Sequence, residues 1–329
     1  MISKPLVSVI MPTYNRATKI LNAINSALGQ TYTNIEILVV DDGSADATRE
    51  VLKDVQGIRY IRQEHGGQAR ARNTGLALAK GEIIASLDSD DIWYPSFLER
   101  CVDKLTADNL DFVFANWDQE TGEGATADFL TQHIYIQPYF HKMKDGWVNL
   151  TNDEIRKVYL QGCPSPSSAL IIRRSIMGSG WNPEIKIGDD WYLYLNVILS
   201  GKRTAAFTLD RLWRKCIDQK NIYDGRKRSE VLENLYIADL HKMITAFKDR
   251  LTPEELKFLQ NKHVYSLVEL AKHNLIREFN LVETGKLLGR SFSIDAAHAF
   301  KSIPEVISFG LKRKLGIYRT KRDGRSKAN

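Results

Sequence analysis

The sequence predicts an α/β fold, a mostly parallel sheet between helices, followed by a helical extension. Three observations carry this. Short apolar runs alternate with helix-patterned segments over the first 115 residues, as strand–helix–strand units do. One of those runs, Ile35–Val40, is nearly unbroken and rich in β-branched residues, which suits a strand buried on both faces. From about Ser229 to Leu288 nearly everything reads as helix.

The elements follow in order. Leu6–Met11 reads as the first strand. From Lys19 to Gln30, Ile20, Ile24 and Leu28 recur every four residues and mark one face of a helix. After the Ile35–Val40 strand, Asp46–Lys53 is predicted helical, with Ser44 or Asp46 as its N-cap. Ile58–Arg62 is strand, Ala69–Ala79 helix, Glu82–Leu87 strand, Pro95–Leu105 a helix opened by proline, and Phe112–Ala115 strand. Residues 118–160 show no periodic segment. Beyond them, Ser168–Ile172 reads as strand and Trp191–Leu199 as helix, then Val231–Phe247 and Pro253–His273 as long helices. The organisation expected is a main domain over 1–215, a helical extension over 216–300 and an amphipathic, basic tail over 301–329.

Composition narrows the class. Hydrophobic residues make up 43% and charged residues 26% of 329, the balance of a globular protein. No run approaches the roughly 18 apolar residues of a membrane-spanning helix, and the N-terminus lacks the pattern of a secretory signal. Cys101, Cys163 and Cys216 are far apart and lack metal-ligand spacing, so reduced thiols in a cytoplasmic protein are expected. The net charge is +6, yet residues 301–329 alone hold nine Lys/Arg against two acids. The body is therefore close to neutral, which disfavours the basic face a nucleic-acid reader would need there, and nucleic acid is not expected as a partner.

Ligands of parallel α/β sheets bind at the carboxyl ends of the strands, so the residues following each strand matter most. After the first comes Pro12-Thr13-Tyr14-Asn15-Arg16, after the second Asp41-Asp42-Gly43-Ser44, and after Glu82–Leu87 comes Asp88-Ser89-Asp90-Asp91. In an extended segment Asp88 and Asp90 point the same way and can share one target. Crowded carboxylates repel unless a cation or proton intervenes, and a hard divalent ion shared with substrate phosphates meets that need. A solvated acidic turn is the plainer reading, and it loses weight beside a buried strand. An EF-hand fails, because Trp93 stands where its loop glycine belongs. Asp41-Asp42-Gly43-Ser44 read alone is a turn with a helix cap.

Gly66-Gly67 precedes the helix that carries Arg72, an arrangement that lets backbone and a helix N-terminus approach an anion. It is neither a phosphate-binding P-loop nor a dinucleotide fingerprint, since neither glycine spacing occurs in the right place. Gly188-Asp189-Asp190-Trp191 opens a helix, where acids are good capping chemistry and where a carboxylate can also serve as a general base.

In this order, Pro-Thr-Tyr-Asn-Arg, Val-Asp-Asp-Gly-Ser, Gly-Gly-x-x-x-Ala-Arg-Asn-x-Gly, Leu-Asp-x-Asp-Asp and Gly-Asp-Asp-Trp, the motifs resemble glycosyltransferase family 2 over roughly residues 5–200. The resemblance implies a GT-A fold and transfer of a sugar, with inversion, from a nucleotide-sugar donor, typically UDP-linked. The acceptor it implies is a hydroxyl of a glycan or lipid-linked glycan. It puts Pro12, Thr13 and Tyr14 at the nucleoside, Asp42 at the base and Arg72 near base and diphosphate. Asp88 and Asp90 become the Asp-x-Asp motif, with Asp90 the direct ligand of Mn²⁺ or Mg²⁺ and Asp88 nearer the ribose and metal waters. The base falls to Asp189 or Asp190, with Asp190 favoured; many members have Glu-Asp where this chain has Asp-Asp.

Two rivals stand beside this reading. A sugar-phosphate nucleotidyltransferase would carry a glycine-rich, basic signature after the first strand, and a non-catalytic scaffold would not need the intact acidic pairs. Trp117, His141, Trp147 and Trp181 are candidates for sugar stacking, though a core role is commoner for such side chains. In the tail, Ile303, Ile307, Leu311 and Leu315 fall four apart beside Lys312, Arg313 and Lys314. That pattern fits either a helix packed on the body or peripheral contact with an anionic membrane.

Overall fold

Every residue of the first strand, β1 (Val7–Thr13), is buried, because β1 lies inside the sheet with a parallel neighbour on each side. Those neighbours are β2 (Ile35–Asp41) and β4 (Ile83–Ser86), and β3 (Arg59–Arg62) extends the sheet beyond β2. The chain thus builds outward from β1 through β2 to β3, then returns to place β4 on the other side of β1. Such a reversal opens a crevice at the carboxyl ends of the strands.

The structure is a computed structural model that describes residues 4–120, 126–217 and 226–314. Beyond β4 the sheet becomes mixed. The order is β3-β2-β1-β4-β9-β6-β10-β5, with β9 (Ile171–Arg173) antiparallel to both β4 and β6 (Phe112–Glu120). Parallel to β6 runs β10 (Ala205–Lys215), which pairs antiparallel with β5 (Ile92–Trp93) and β8 (Trp147–Leu150); β7 (Thr126–Asp128) pairs with β6. Because β9 runs backwards, it begins at the rim where β4 ends, and so brings residues 165–168 to the crevice.

Helices cover this sheet: α1 (Ile20–Leu28), α2 (Thr48–Leu52), α3 (Gln68–Leu78), α4 (Phe97–Ala107), α5 (Asn152–Gln161) and α6 (Asp189–Leu199). Two termini and one whole helix differ from expectation. Neither Ser44 nor Asp46 takes the N-cap position of α2, which falls to Ala47; Ser44 Oγ instead accepts the Asn15 N–H, and Asp46 accepts that of Thr48. Pro95 precedes α4 rather than opening it, and Ser96 takes the N-cap position. In the stretch that showed no pattern, α5 forms with a full capping box between Thr151 and Glu154 and buries Ile155, Val158 and Tyr159.

The chain divides into two compact units, Met1–Gly225 and Arg226–Asn329. In the second, a helical run formed by α7 (Arg228–Val231), a π-helical stretch and α8 (Leu240–Phe247) precedes α9 (Pro253–His273) and α10 (Leu281–Lys314). The start of α9 has Thr252 and Glu255 in a capping box with Pro253 in the first turn. Leu232, Ile237, Leu267, Leu270, Ala271 and Leu287 form a core cluster here. At Asp295, α10 is kinked. It then continues through residue 301 as helix to Lys314, with Ile307 about half exposed. Leu315 and the remainder of the basic run lie outside the described residues. Among the described residues no helix is long and apolar enough to cross a membrane.

Close packing of α3 on β1 fixes the wall of the crevice. A Cβ built at Gly75 would stand 2.5 Å from Ile10 Cγ2, so only glycine allows this approach. Gly75→Val should therefore overpack the interface and lower the unfolding free energy by about 1–3 kcal/mol, read as a lower midpoint in urea denaturation.

Candidate active site

The loops after β1 and β2 are tied into one unit. Asn15, at φ +52°, accepts the N–H groups of Ala45 and Asp46 on its side-chain oxygen, while its own N–H reaches Ser44 Oγ at 2.9 Å. Asp41 is wholly buried; it accepts Tyr60 OH at 2.6 Å and Ser44 N–H at 2.8 Å. Burial, and then this bond to a carboxylate, push the Tyr60 hydroxyl up to about 12.

Asp42 organises the next loop. Its carboxylate accepts Gln63 Nε2 at 2.7 Å, Gly67 N–H at 2.7 Å and Gly66 N–H at 3.0 Å, and lies 2.9 Å from His65 Nδ1. Gly67, at φ +89°, makes the turn that aims these N–H groups inward just before α3. The exposed ring of Tyr14 stacks on His65 with centroids 4.2 Å apart.

Behind this rim lies Arg72, only 1% exposed. Its Nη1 donates to Asp189 at 2.6 Å and its Nη2 to Asp88 at 2.7 Å, and the guanidinium lies 5.8 Å from the Trp181 ring centroid. Burial alone would loosen its proton; the charges of Asp88, Asp189 and Asp190 outweigh that and raise its pKa. Asp189 is also 1% exposed and accepts a second bond from Gln68 Nε2. Its burial raises its carboxyl above the usual range, with Asp190 and Asp88 adding to the effect against the pull of Arg72.

The remaining acids have separate partners. Asp90 pairs with Arg16 at 3.0 Å. Asp91, 3% exposed, accepts Ser168 Oγ at 2.6 Å and Cys216 N–H at 3.0 Å, and burial, with Asp90 and Asp88 nearby, pushes its carboxyl well up. Asp190 is half-buried and accepts Ser167 Oγ, the Ser167 N–H at 3.0 Å and the Trp181 indole N–H at 3.3 Å.

The fold therefore gathers Tyr14, Asp42, Arg72, Asp88, Asp90, Asp189 and Asp190 around one crevice, but gives them unequal access. Pro12 and Thr13 are buried within β1, leaving Tyr14 as the exposed member of that trio. Arg72 is buried, and its two terminal nitrogens each donate to a carboxylate, so it ties Asp88 and Asp189 together behind the rim. Trp117, Trp147 and Trp181 are buried at 2%, 7% and 1% exposure and are not open stacking platforms. His141 is exposed on a short 3₁₀ turn, its Nδ1 against Pro138 O.

Gln63, His65, Gln68, Ser167 and Ser168 were not anticipated. Their roles arise from contacts across 21 to 121 residues of chain, which no local spacing encodes. For a divalent cation, Asp88 and Asp90 offer the hard carboxylate oxygens such an ion prefers, and Asp88 is about one-third exposed. Among the described residues no cluster of three or more acidic, histidine or cysteine side chains forms a ready-made metal cage. The pair thus fits an ion whose other ligands come from substrate phosphates and water.

Comparison with known proteins gives a consistent picture. The family model for glycosyl transferase family 2 matches residues 8–163. The chain is 45% identical over 203 residues to the Escherichia coli UDP-Glc:alpha-D-GlcNAc-diphosphoundecaprenol beta-1,3-glucosyltransferase WfgD, covering 61% of this chain and 72% of that one. Matches to curated glycosyltransferases of Nostoc sp. and Streptococcus pneumoniae span only 39% and 51% of their lengths. In fold the chain resembles S. aureus TarS 1-349 in complex with UDP-GlcNAc (TM-score 0.63, 18% identity, 95% and 93% of the two chains). It also resembles the mannosyltransferase PcManGT of Pyrobaculum calidifontis in complex with GDP-Man and Mn²⁺ (TM-score 0.60, 20% identity, 97% and 82%).

The geometry makes Arg72 a structural keystone, and its removal is expected to show in stability first. Arg72→Ala leaves Asp189 buried without its cation and should cost about 3–5 kcal/mol. Arg72→Lys should recover only part of this, since one ammonium cannot reproduce a fork that meets two carboxylates. Chemical denaturation of the three proteins measures both.

Proposed function

The chain belongs to glycosyl transferase family 2, and from that premise we propose that it is an inverting, metal-dependent enzyme moving a hexose from a UDP-sugar to a hydroxyl of a lipid-linked glycan. One observation carries the reading: the crevice has an acidic pair, Asp88 and Asp90, on one side and a half-buried, triply hydrogen-bonded carboxylate, Asp190, on the other. Support for a UDP-linked donor comes from the names of WfgD and of the TarS complex, and support for Mn²⁺ from the PcManGT complex. The lipid-linked acceptor rests on WfgD, whose name specifies a diphosphoundecaprenol glycan.

In this reading Tyr14 offers its exposed face to the nucleobase, next to the Asp42 loop. Asp88 and Asp90 hold the divalent ion, which when bound supplies positive charge against the diphosphate. Asp190 takes the proton of the acceptor hydroxyl as its oxygen attacks the anomeric carbon opposite the departing diphosphate, which inverts that centre. The bonds from Ser167 and Trp181 aim the carboxylate, and its remaining exposure leaves room for an acceptor. Asp189 is the poorer candidate, because it is 1% exposed and paired with the buried Arg72, whereas Asp190 keeps part of its surface open.

Titration calorimetry with UDP and GDP tests the donor side. UDP should bind in the presence of Mn²⁺, GDP should bind more weakly, and chelation or Asp90→Ala should abolish the metal-dependent part. With UDP-glucose as donor, Asp190→Asn should lower kcat by roughly 10²–10⁴-fold while UDP still binds. Full turnover in excess chelator, or an active Asp190→Asn protein, would refute the respective role.

Peripheral membrane contact through the basic C-terminus completes the proposal, since a lipid-linked acceptor resides at a bilayer. The support is the concentration of nine Lys/Arg in residues 301–329. The protein should float with acidic liposomes in low salt, and a chain ending at Lys314 should not. Equal flotation of both would move the contact elsewhere.

A further inference from the structure

Two adjacent serines link the halves of the crevice. Ser167 and Ser168 are wholly buried in the 3₁₀ turn Ser167–Ala169 that precedes β9, with Pro166 in its N-cap position. The turn is held from several sides: Ala169 N–H bonds to Pro166 O, Leu170 N–H to Ser167 O, and the Trp93 indole donates to Ser168 O at 2.7 Å.

The two side chains address different segments. Ser167 directs both its hydroxyl and its backbone N–H at Asp190, one to each carboxylate oxygen. Ser168 has one hydroxyl proton, given to Asp91 Oδ2 at 2.6 Å, and its oxygen accepts the Asp88 N–H at 3.1 Å. A third donor to Asp190, the Trp181 indole, is itself fixed by Asn73, whose side-chain amide binds both the N–H and the C=O of Trp181 at 2.9 and 2.6 Å.

We infer that Ser167 and Ser168 are positioning residues with divided duties, Ser167 acting on turnover through Asp190 and Ser168 on donor binding through the Asp88–Asp91 segment. The inference rests on the proposed roles of those acids. It follows from the disjoint contacts: the side chain of Ser167 meets Asp190, and that of Ser168 meets the acidic segment. One rigid turn then sets the distance between the group that receives the acceptor proton and the group that holds the donor.

The division has a signature that a merely structural turn lacks. Ser167→Ala should lower kcat about tenfold or more, because a hydrogen bond to a charged group is lost. Its Kd for UDP in Mn²⁺, read by calorimetry, should stay within about twofold of the parent protein. Ser168→Ala should raise that Kd about tenfold. Ser167→Cys, close in size but a weak donor, provides the kcat measurement should the alanine variant fold poorly. Unchanged kcat in both Ser167 variants, or equal losses of binding and turnover at both positions, overturns the inference. Asp190→Asn separates the levels: if it is active, the role of Asp190 itself fails, whereas an inactive Asp190→Asn beside a normal Ser167→Ala condemns only the positioning role.

Discussion

A single guanidinium, cut off from solvent, holds this crevice together. Arg72 reaches across 16 residues of chain to Asp88 and across 117 to Asp189. A buried charge is tolerable only when paired and hydrogen-bonded, so neither acid is free to drift without exposing the arginine to an uncompensated loss of solvation. The end of β4 and the start of α6 are therefore pinned to α3. With α3 drawn against β1 at Gly75, three segments distant in sequence acquire fixed positions about one rim.

The antiparallel β9 depends on the same arrangement. In a purely parallel sheet its entry would lie at the far edge, away from the acids. Reversed, it starts at the rim, and the turn before it can touch Asp190 with one residue and the Asp88–Asp91 segment with the next. Arg72 sets where Asp189 and Asp88 sit, and the serine turn sets how Asp190 and Asp91 face. Between them the two devices restrain four carboxylates whose mutual repulsion would otherwise spread them apart.

How much of this was legible depends on distance along the chain. Strands β1, β2 and β4 could be read because burial inside the sheet forces continuous apolar runs, and the acids that follow them were placed at the rim by topology. The fold class and the place of Asp88 and Asp90 at the rim were thus visible in the sequence, whereas Asp190 entered through the family resemblance. Arg72 was visible as a residue, but its bonds to Asp88 and Asp189 were not, since nothing local announces partners 16 and 117 residues away. The helix α5 escaped because its apolar positions sit in a stretch that otherwise shows no period, although Thr151 and Glu154 carried a capping signal. Ser167 and Ser168 were beyond reach: a serine pair between prolines and a strand reads as an ordinary turn until its partners are brought to it.

The asymmetry between Asp189 and Asp190 has a geometric origin. Both open α6, and successive helical residues point about 100° apart, so adjacent acids there cannot serve one target. The first turns inward, and its two oxygens are taken by Arg72 and Gln68; the second turns toward the crevice. The inward position asks only for a carboxylate that can reach a guanidinium, a demand that the longer glutamate can also meet. That accounts for the Glu-Asp of many family members beside the Asp-Asp here. The crevice-facing position has a stricter demand, because its carboxylate must meet Ser167, the Trp181 indole and an acceptor hydroxyl together. On the proposed mechanism, variation should therefore concentrate at the first acid, whose part is electrostatic support, and spare the second, whose part is proton transfer.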